Sequence, residues 1–381
     1  MNRRVASDGT AAKKPKAINA MIFRRRLMAW YRKSARALPW RKTSDPYAIW
    51  VSEIMLQQTR VAAVIDYYNE FLRRFPTLVS LALATEAEVL AAWSGLGYYN
   101  RARMLHKAAQ FIVSERKGQL PATTVELRSL PGVGEYTAAA IASIAFGECV
   151  AVVDGNVERV ILRLTGQAGE ATAAARTAIR AQAQMLMPPP AASTVNAAGE
   201  HNQAMMELGA TICLPRKPLC ESCPVKTQCA TRGEHLTPPR TTQRSLPAAY
   251  LLDLRKRGAS TEVLLERRPK NAAVMPAMYE LPTIPTQEVE GLEPALRLRH
   301  SITNTNYYVQ VFSPRRLAPP GGGRRPTGAA AALRATVPTT TPGKLRWMRV
   351  ARLAGIPLTG LARKILLRLQ VMENPHITID E

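Results

Sequence analysis

The chain has 381 residues, with 52 lysines and arginines against 28 acidic residues and a formal net charge of +24. Its length allows two or three domains, and its charge favours a nucleic acid as partner, although a merely soluble basic protein would have the same composition. No apolar run reaches the length of a membrane span, and five cysteines are too few for a disulfide scaffold. The first residues lack a hydrophobic core of the secretory type, so we do not expect a secretory signal there. We therefore expect the protein to work in a reducing compartment, the cytoplasm of a bacterium, in association with the nucleoid. We also expect it to be a monomer.

Changes in residue pattern divide the chain into a mainly α-helical domain and a smaller α+β domain. A polar, basic and disordered N-terminus precedes the helical domain, and a linker rich in Thr, Pro and Arg follows it. Three strand patterns and a final amphipathic helix, Leu361–Val371, characterise the second domain. The strands are predicted at Tyr250–Leu254, Glu262–Arg267 and Tyr307–Phe312. The predicted N-terminus, helical domain, linker, α+β domain and tail are 1–20, 21–230, 231–247, 248–373 and 374–381.

Glu53 stands out in the helix that is predicted to begin at Pro46. Its neighbours at helical spacing are Ile49, Trp50 and Leu56, so the carboxyl group lies on an apolar stripe. Burial favours the protonated form of a carboxyl group, which would equip Glu53 to donate a proton near neutral pH. A buried glutamate that is only satisfied by an arginine would give the same pattern.

The segment Leu130–Gly134 joins two apolar helix patterns through a turn with two glycines. Gly132 and Gly134 allow a tight turn and the close approach of a phosphate, and the amides that start the second helix would face that phosphate. This is typical of a helix-hairpin-helix that grips a DNA backbone without reading its sequence. An ordinary connection between two helices remains the alternative.

Asp154 precedes a helix pattern that contains Val157, Val160 and Ile161. An aspartate at this position is typical of a helix N-cap. It could also be a catalytic carboxylate that faces a developing positive charge, and the two roles are compatible.

Four cysteines follow at the spacing C-x6-C-x2-C-x5-C: Cys213, Cys220, Cys223 and Cys229. Four thiols in one short loop favour a single iron–sulfur cluster. A structural zinc site usually pairs two C-x2-C units, and disulfides are the remaining alternative. The fifth cysteine, Cys149, lies in an apolar run and is interpreted as a buried thiol.

Residues 21–230 resemble the MutY family of adenine DNA glycosylases, within the helix-hairpin-helix glycosylase superfamily. The matching segments, besides the four cysteines, are Leu38–Arg41, Ser52–Thr59, Gly95–Tyr99, Leu130–Gly134, Val153–Val157 and Asn202–Ala210. The resemblance implies a [4Fe–4S] cluster on the four cysteines. It also implies that the substrate is adenine mispaired with 8-oxoguanine or guanine in double-stranded DNA.

The resemblance also implies roles for individual residues. Glu53 would protonate the adenine, and Asp154 would stabilise the positively charged sugar that remains, with support from Tyr136 and Asn156. The residues that match the pocket for the extruded adenine are Trp40, Arg41 and Gln203. Gln58 and Tyr98 match family residues that insert into the base stack. Thr59 and Leu96 match family residues that contact the damaged guanine.

Tyr136 stands where relatives that also cut the DNA backbone carry a lysine. Without that amine no Schiff base can form there, so we expect a monofunctional glycosylase. Two alternatives are a non-catalytic iron–sulfur protein that binds DNA and a bifunctional glycosylase/lyase for oxidised pyrimidines. The presence of both Glu53 and Asp154 argues against the first, and Tyr136 argues against the second.

In the C-terminal domain, the segment Glu262–Pro269 is followed by Tyr279–Pro282. With these segments the domain resembles the Nudix-like domain with which the family recognises 8-oxoguanine. It lacks the acidic helix that binds magnesium in Nudix hydrolases, so we do not expect nucleotide hydrolysis. The family's Phe-Ser-His recognition segment corresponds here to Ile302, Thr303 and Asn304. Thr303 would replace the serine hydroxyl and Asn304 the histidine, or the segment is only the end of a strand.

Overall fold

The protein is described from a computed structural model that covers residues 18–167, 172–190, 196–234, 243–302, 304–314 and 345–373. Thr303, the predicted tail and most of the predicted basic N-terminus lie outside these ranges, as do residues 235–242 of the predicted linker. Spatial contacts between residues divide the chain into two compact units. The first comprises 1–50, 121–129 and 133–239, and the second comprises 51–120, 130–132 and 240–381.

Helices dominate the chain up to residue 211. They are α1 (Ala20–Ser34), α2 (Pro46–Leu56), α3 (Val61–Arg74), α4 (Leu78–Leu83), α5 (Glu86–Ala92), α6 (Asn100–Glu115), α7 (Thr124–Leu127), α8 (Glu135–Phe146), α9 (Gly155–Thr165), α10 (Ala173–Met185) and α11 (Ala197–Thr211). Short 3-10 turns lie at Pro39–Arg41, Cys220–Ser222 and Lys226–Gln228. None of the described helices combines the length and apolar character that crossing a bilayer requires.

The first unit has a core built from one apolar face each of α1, α9 and α11. Apolar residues at helical spacing place these faces inward, and burying them provides the main stabilisation. The central members of this core are Phe23, Leu27, Tyr31, Val157, Val160, Ile161, Ala204, Met205 and Leu208. Three of the four clustered cysteines, Cys213, Cys223 and Cys229, pack against the same core.

The C-terminal part of the second unit contains two sheets. Its strands are β1 (Arg244–Leu251), β2 (Leu254–Arg257), β3 (Ser260–Arg267), β4 (Tyr279–Glu280), β5 (Thr283–Ile284), β6 (Leu296–Ile302), β7 (Thr305–Phe312) and β8 (Leu345–Arg349). One sheet has the order β5-β1-β7-β6, with β1 parallel to β7 and the other pairs antiparallel. In the other sheet β3 pairs with β2, β4 and β8, all antiparallel.

A final helix, α12 (Gly360–Arg368), contributes Leu361, Ile365 and Leu366 to the core between the apolar sides of these strands. The described chain is thus mainly α-helical, followed by a smaller α+β region. This confirms the predicted fold class and the predicted strand segments Glu262–Arg267 and Tyr307–Phe312, which lie within β3 and β7. The predicted strand Tyr250–Leu254 was wrong as a single strand, because it spans the end of β1, a break at Leu252 and Asp253, and the first residue of β2.

Candidate functional site

Glu53 lies in the second turn of α2 and is only 4% exposed. Pro46 starts the helix, and the Asp45 carboxylate accepts a hydrogen bond from the Tyr47 amide at 3.1 Å. Ile49 and Trp50, one turn before Glu53, are fully buried. The expected apolar stripe therefore exists, and Glu53 is the carboxyl group on it.

Asp154 is the N-cap of α9, in the first unit. One carboxylate oxygen, Oδ1, accepts a hydrogen bond from the Val157 amide at 2.7 Å, and the other, Oδ2, accepts one from Asn156 Nδ2 at 2.9 Å. The predicted capping role is confirmed. Both oxygens are held by donors, so the orientation of the carboxylate is fixed.

Arg159, one turn further along α9, extends this arrangement to the cysteine loop. Its Nη2 donates to Asn156 Oδ1 at 2.8 Å and to the Gly209 carbonyl at 2.7 Å, and its Nε donates to the Cys213 carbonyl at 2.8 Å. Burial lowers the pKa of the guanidinium. Only glycine fits at position 209, because a Cβ there would lie 2.7 Å from the Cβ of Asn156.

Asn202 in α11 holds the chain segment that leads to Asp154. Its Oδ1 accepts a hydrogen bond from the Val152 amide at 3.0 Å, and its Nδ2 donates to the Val150 carbonyl at 2.8 Å. The side chain is buried. A buried side-chain amide can supply one acceptor and one donor to an extended backbone segment. Asn202 does this here and so fixes the segment against α11.

Arg41 and Gln203, both predicted to lie in a base pocket, are brought together in the first unit. The Tyr31 hydroxyl donates to Gln203 Oε1 at 2.9 Å, and the Arg41 guanidinium stacks over the Tyr31 ring at 5.4 Å. Trp40, in the same 3-10 turn as Arg41, is buried. Since the Gln203 carbonyl faces Tyr31, its amide nitrogen is the end that can donate to a ligand.

Glu207, a buried carboxylate with 1% exposure, holds Arg41 in place. Oε2 accepts hydrogen bonds from Arg41 Nη2 at 2.8 Å and Arg36 Nη2 at 2.7 Å, and Oε1 accepts from Arg36 Nε at 2.8 Å. Burial alone would raise the pKa of Glu207, but the bonds from Arg36 and Arg41 outweigh it and hold the pKa at about 2. The carboxylate is therefore ionised at neutral pH.

The predicted helix-hairpin-helix turn joins α7 to α8. Gly132 has a φ of 73°, and a Cβ there would lie 2.4 Å from the Cβ of Met104, so only glycine fits. Gly134 is the N-cap of α8 and has an ordinary φ of −86°. A Cβ at Gly134 would meet no atom within 4 Å, so packing does not require this glycine. Tyr136, in the first turn of α8, donates to the sulfur of Met206 at 3.6 Å.

Two loops of the second unit carry the residues predicted to contact the base stack. Gln58 is exposed with a φ of 56°, and Tyr98 is 51% exposed with a φ of 49°. Both are therefore in the left-handed region that non-glycine residues seldom adopt. Thr59 is half-buried, whereas Leu96 is buried at 8% exposure.

The loop of Tyr98 is also anchored to the C-terminal part of the same unit. Ser94 Oγ donates to the Leu358 carbonyl at 2.9 Å, and the Tyr99 hydroxyl donates to the same oxygen at 3.3 Å. The Gly95 amide donates to the Tyr99 hydroxyl at 3.3 Å. A side chain at Gly95 would collide with the Tyr67 hydroxyl at 2.1 Å, so the loop packs closely there.

The four clustered cysteines line one cavity in the first unit, together with the buried side chain of Arg163. Arg163 Nη1 donates to Cys213 Sγ at 3.3 Å, and Arg163 Nε has no hydrogen-bond partner among the described residues. Burial raises the pKa of the Cys223 thiol to about 11, and the three neighbouring thiols contribute to the increase. The predicted set of thiols therefore meets around a common space.

A thiolate-bound group that spans this cavity fits the residues. Four thiolates are the usual ligands of an iron–sulfur cluster, and the Arg163 guanidinium would offset their negative charge. Among the described residues, no three His, Cys, Asp or Glu side chains are placed around a single metal ion.

The last pair between β6 and β7 is Ile302 and Thr305, and Asn304, directly before β7, is exposed. The Asn304 carbonyl accepts a hydrogen bond from the Arg244 amide at 3.0 Å. Ser301 Oγ donates to the buried Asn306 Oδ1 at 2.6 Å. Thr303 is not among the described residues.

Arg159, Glu207 and Arg101 are among the residues of these networks that received no role from the sequence. Arg159 follows Asn156 by three positions, and Glu207 follows Gln203 by four, so helical spacing alone could have placed each beside a predicted site residue. The third residue, Arg101, contacts both loops of the second unit.

Comparison with known proteins gives a consistent result. Residues 51–184 match the family model described as HhH-GPD superfamily base excision DNA repair protein. An adenine DNA glycosylase of Mycobacterium tuberculosis is 41% identical over 239 residues, which cover 62% of this chain and 77% of that protein. A human adenine DNA glycosylase is 46% identical over 223 residues, covering 55% of this chain. The chain spans about two fifths of the length of the mammalian relatives that it matches, 39% in the human protein.

Among solved structures, a thermostable thymine-DNA glycosylase superposes with a TM-score of 0.51 at 30% identity. The match covers 56% of this chain and 96% of that one.

Proposed function

The chain belongs to the adenine DNA glycosylase (MutY) family, and from that premise we propose that it removes adenine mispaired with 8-oxoguanine or guanine from double-stranded DNA. The burial of Glu53 on an apolar stripe is the observation that carries the proposal. A carboxyl group in such an environment retains its proton more readily than one in water, and it can then act as a general acid.

In the proposed reaction, Glu53 transfers its proton to the imidazole edge of the extruded adenine. The bond between sugar and base breaks, and its electron pair leaves with the adenine. The Asp154 carboxylate stabilises the positive charge that develops on the sugar. Water then adds to the sugar and loses a proton, which gives an abasic site. The two hydrogen bonds that fix Asp154 support this role, because a fixed carboxylate needs no reorganisation as the charge appears.

The pocket for the adenine would be formed by Trp40, Arg41 and Gln203. The Tyr31 and Glu207 contacts support this assignment, because they fix the polar ends of Gln203 and Arg41 before any ligand binds. Tyr136 and Asn156 would assist Asp154. Since Tyr136 offers no amine, the reaction would end at the abasic site without cutting the backbone.

Contacts to the duplex would come from four places in the chain. The turn at Gly132 and Gly134 would hold the phosphate backbone, and Gln58 and Tyr98 would enter the base stack. Thr59 and Leu96 would contact the damaged guanine. The segment between β6 and β7, with Thr303 and Asn304, would recognise 8-oxoguanine as part of a Nudix-like domain.

The four cysteines would hold a [4Fe–4S] cluster, which would cross-link the segment 213–229 that follows α11. The cavity and the buried Arg163 support this assignment. Chemical analysis of the purified protein for iron and acid-labile sulfide tests it, with an expected ratio of about four each per chain. If the analysis found stoichiometric zinc and no sulfide, the cysteines would form a zinc site and the cluster assignment would be wrong.

The function is tested with duplexes that contain adenine opposite 8-oxoguanine, guanine, thymine or cytosine. Alkali after incubation should cut the adenine strand of the first two duplexes and leave the others intact. Glu53→Gln should abolish excision while affinity for the 8-oxoguanine duplex is kept, and Glu115→Gln, on the exposed face of α6, should behave as wild type. Normal excision by Glu53→Gln would refute the mechanism. Binding without excision by the wild type would leave a non-catalytic DNA-binding protein.

A further inference from the structure

Gln58 and Tyr98 share an unusual backbone state. Each is exposed, each has a positive φ, and each lies in a different loop of the second unit. A non-glycine residue in the left-handed region costs free energy and persists only where the surrounding contacts impose it. The contacts that hold both loops in this conformation therefore also determine where the Gln58 and Tyr98 side chains lie.

Arg101, in the first turn of α6, supplies contacts to the first loop. Its Nη1 donates to the carbonyls of Ile54 at 2.9 Å and Met55 at 3.0 Å, and to that of Gln57. The carbonyls of Ile54 and Met55 belong to the last turn of α2, where backbone acceptors have no partner within the helix, and Gln57 directly follows that turn. Its Nη2 donates to the hydroxyl of Thr59 at 3.1 Å. Arg101 therefore forms hydrogen bonds with the residues on both sides of Gln58, Gln57 and Thr59.

The same side chain also holds the second loop. Arg101 Nη2 donates to the Gly97 carbonyl at 3.2 Å, and the guanidinium lies over the Tyr98 ring at 5.4 Å. On its other side it lies near the Trp93 ring at 5.6 Å, and Trp93 Nε1 donates to the same Gly97 carbonyl at 3.2 Å. One half-buried cation therefore joins the two loops.

We propose that Arg101 is a positioning residue that fixes the Gln58 and Tyr98 loops relative to each other, so that both side chains enter the base stack together. This inference rests on the proposed function of the two residues in base extrusion. The planar guanidinium presents several donors in a rigid fork and stacks on aromatic rings. A lysine would keep the charge, but its single ammonium group cannot span both loops.

The role is tested with Arg101→Lys and Arg101→Gln, with Lys107→Gln as the control that removes an exposed charge from the same helix. Single-turnover excision is measured on two duplexes with the same adenine–8-oxoguanine mispair. One is otherwise fully paired, and the other has a mismatched neighbouring pair that leaves the adenine partly unstacked. Extrusion requires less free energy in the second duplex.

Arg101→Lys should lose about tenfold or more in rate on the fully paired duplex and much less on the unstacked one, with a larger effect for Arg101→Gln. The ratio of the two rates is taken within one preparation, so any loss of folded protein cancels. An unchanged ratio in both Arg101 variants would overturn the positioning role.

A second readout is the fluorescence of 2-aminopurine placed at the adenine position, which increases when the base leaves the stack. The increase on binding should be reduced in Arg101→Lys and retained in Lys107→Gln. An increase of wild-type size in Arg101→Lys would also count against the role. Failure of the wild type to excise adenine from either duplex would instead refute the proposed function itself.

Discussion

Asp154 Oδ2 and Asn156 Nδ2 are joined by a 2.9 Å hydrogen bond, and Asn156 is in turn held by Arg159. Arg159 also donates to the carbonyl of Cys213, the first of the four clustered cysteines. The orientation of the Asp154 carboxylate and the backbone of the cysteine loop therefore depend on one guanidinium.

Arg159→Gln should reduce the single-turnover excision rate by about 10- to 100-fold, because hydrogen bonds from a charged group hold Asn156 against Asp154. Affinity for DNA should change little, since Asp154 still caps α9 by accepting the hydrogen bond from the Val157 amide. The measurement is single-turnover kinetics at saturating enzyme. Arg73→Gln, which breaks an exposed ion pair with Glu70, is the control. A wild-type rate in Arg159→Gln would show that the contact is dispensable.

Gly132 and Gly134 should respond to alanine in opposite ways. Gly132→Ala should destabilise the fold by about 1–3 kcal/mol, because its Cβ would collide with Met104 and its φ is positive. Gly134→Ala should leave the unfolding temperature unchanged but weaken DNA binding, because its Cβ would occupy space that a phosphate approaches. Thermal unfolding and DNA titration measure the two effects. Equal DNA affinity of Gly134→Ala and wild type would remove the proposed phosphate contact.

Glu207→Gln should destabilise the protein by about 3 kcal/mol or more, because Arg36 and Arg41 would lose a buried counter-ion. The pKa of Glu207 is about 2 when folded, below its ordinary value of 4.5. Its stabilisation is therefore complete above about pH 4.5 and is lost as the pH falls towards 2. Urea unfolding of both proteins between pH 6 and pH 3 measures this. The free energies of unfolding of wild type and Glu207→Gln should converge at acid pH. A difference that stays constant with pH would contradict the stabilising role of ionised Glu207.

His201, which is buried beside Phe23, should make stability depend on pH in a higher range. Burial lowers its pKa from 6.5 to about 4, so the unfolded chain binds a proton that the folded chain excludes. Stability should therefore fall as the pH decreases from 6.5 towards 4. Urea unfolding at pH 7 and pH 5 should show a loss in wild type that His201→Met reduces by about 2 kcal/mol. An equal loss in both proteins would mean that His201 does not titrate on unfolding.

Local pattern was enough to predict the burial of Glu53, the N-cap at Asp154 and the glycine turn, because each depends on neighbours within one or two helical turns. Arg101 and Glu207 escaped prediction because their hydrogen-bond partners come from distant parts of the chain, and two of the partners of Arg159, Gly209 and Cys213, are distant as well. Arg36 and Glu207 are 171 residues apart, and Arg101 and Gln57 are 44 apart. An arginine or glutamate on a predicted helix gives no sign of whether it faces water or a remote carbonyl.

The second unit was also only partly predictable. Two strand segments followed from alternation of apolar and polar residues, but the parallel pairing of β1 with β7 joins segments about 60 residues apart, which no local pattern specifies.

The carbonyl of Leu358 accepts hydrogen bonds from Ser94 and Tyr99, which flank the loop of Tyr98. A protein truncated after the four cysteines would therefore leave two buried hydroxyl groups without their acceptor. The helical part prepared alone would then hold Tyr98 less firmly than the whole chain does. Substitutions near residue 358 would act on a loop that precedes them by more than 250 residues in sequence.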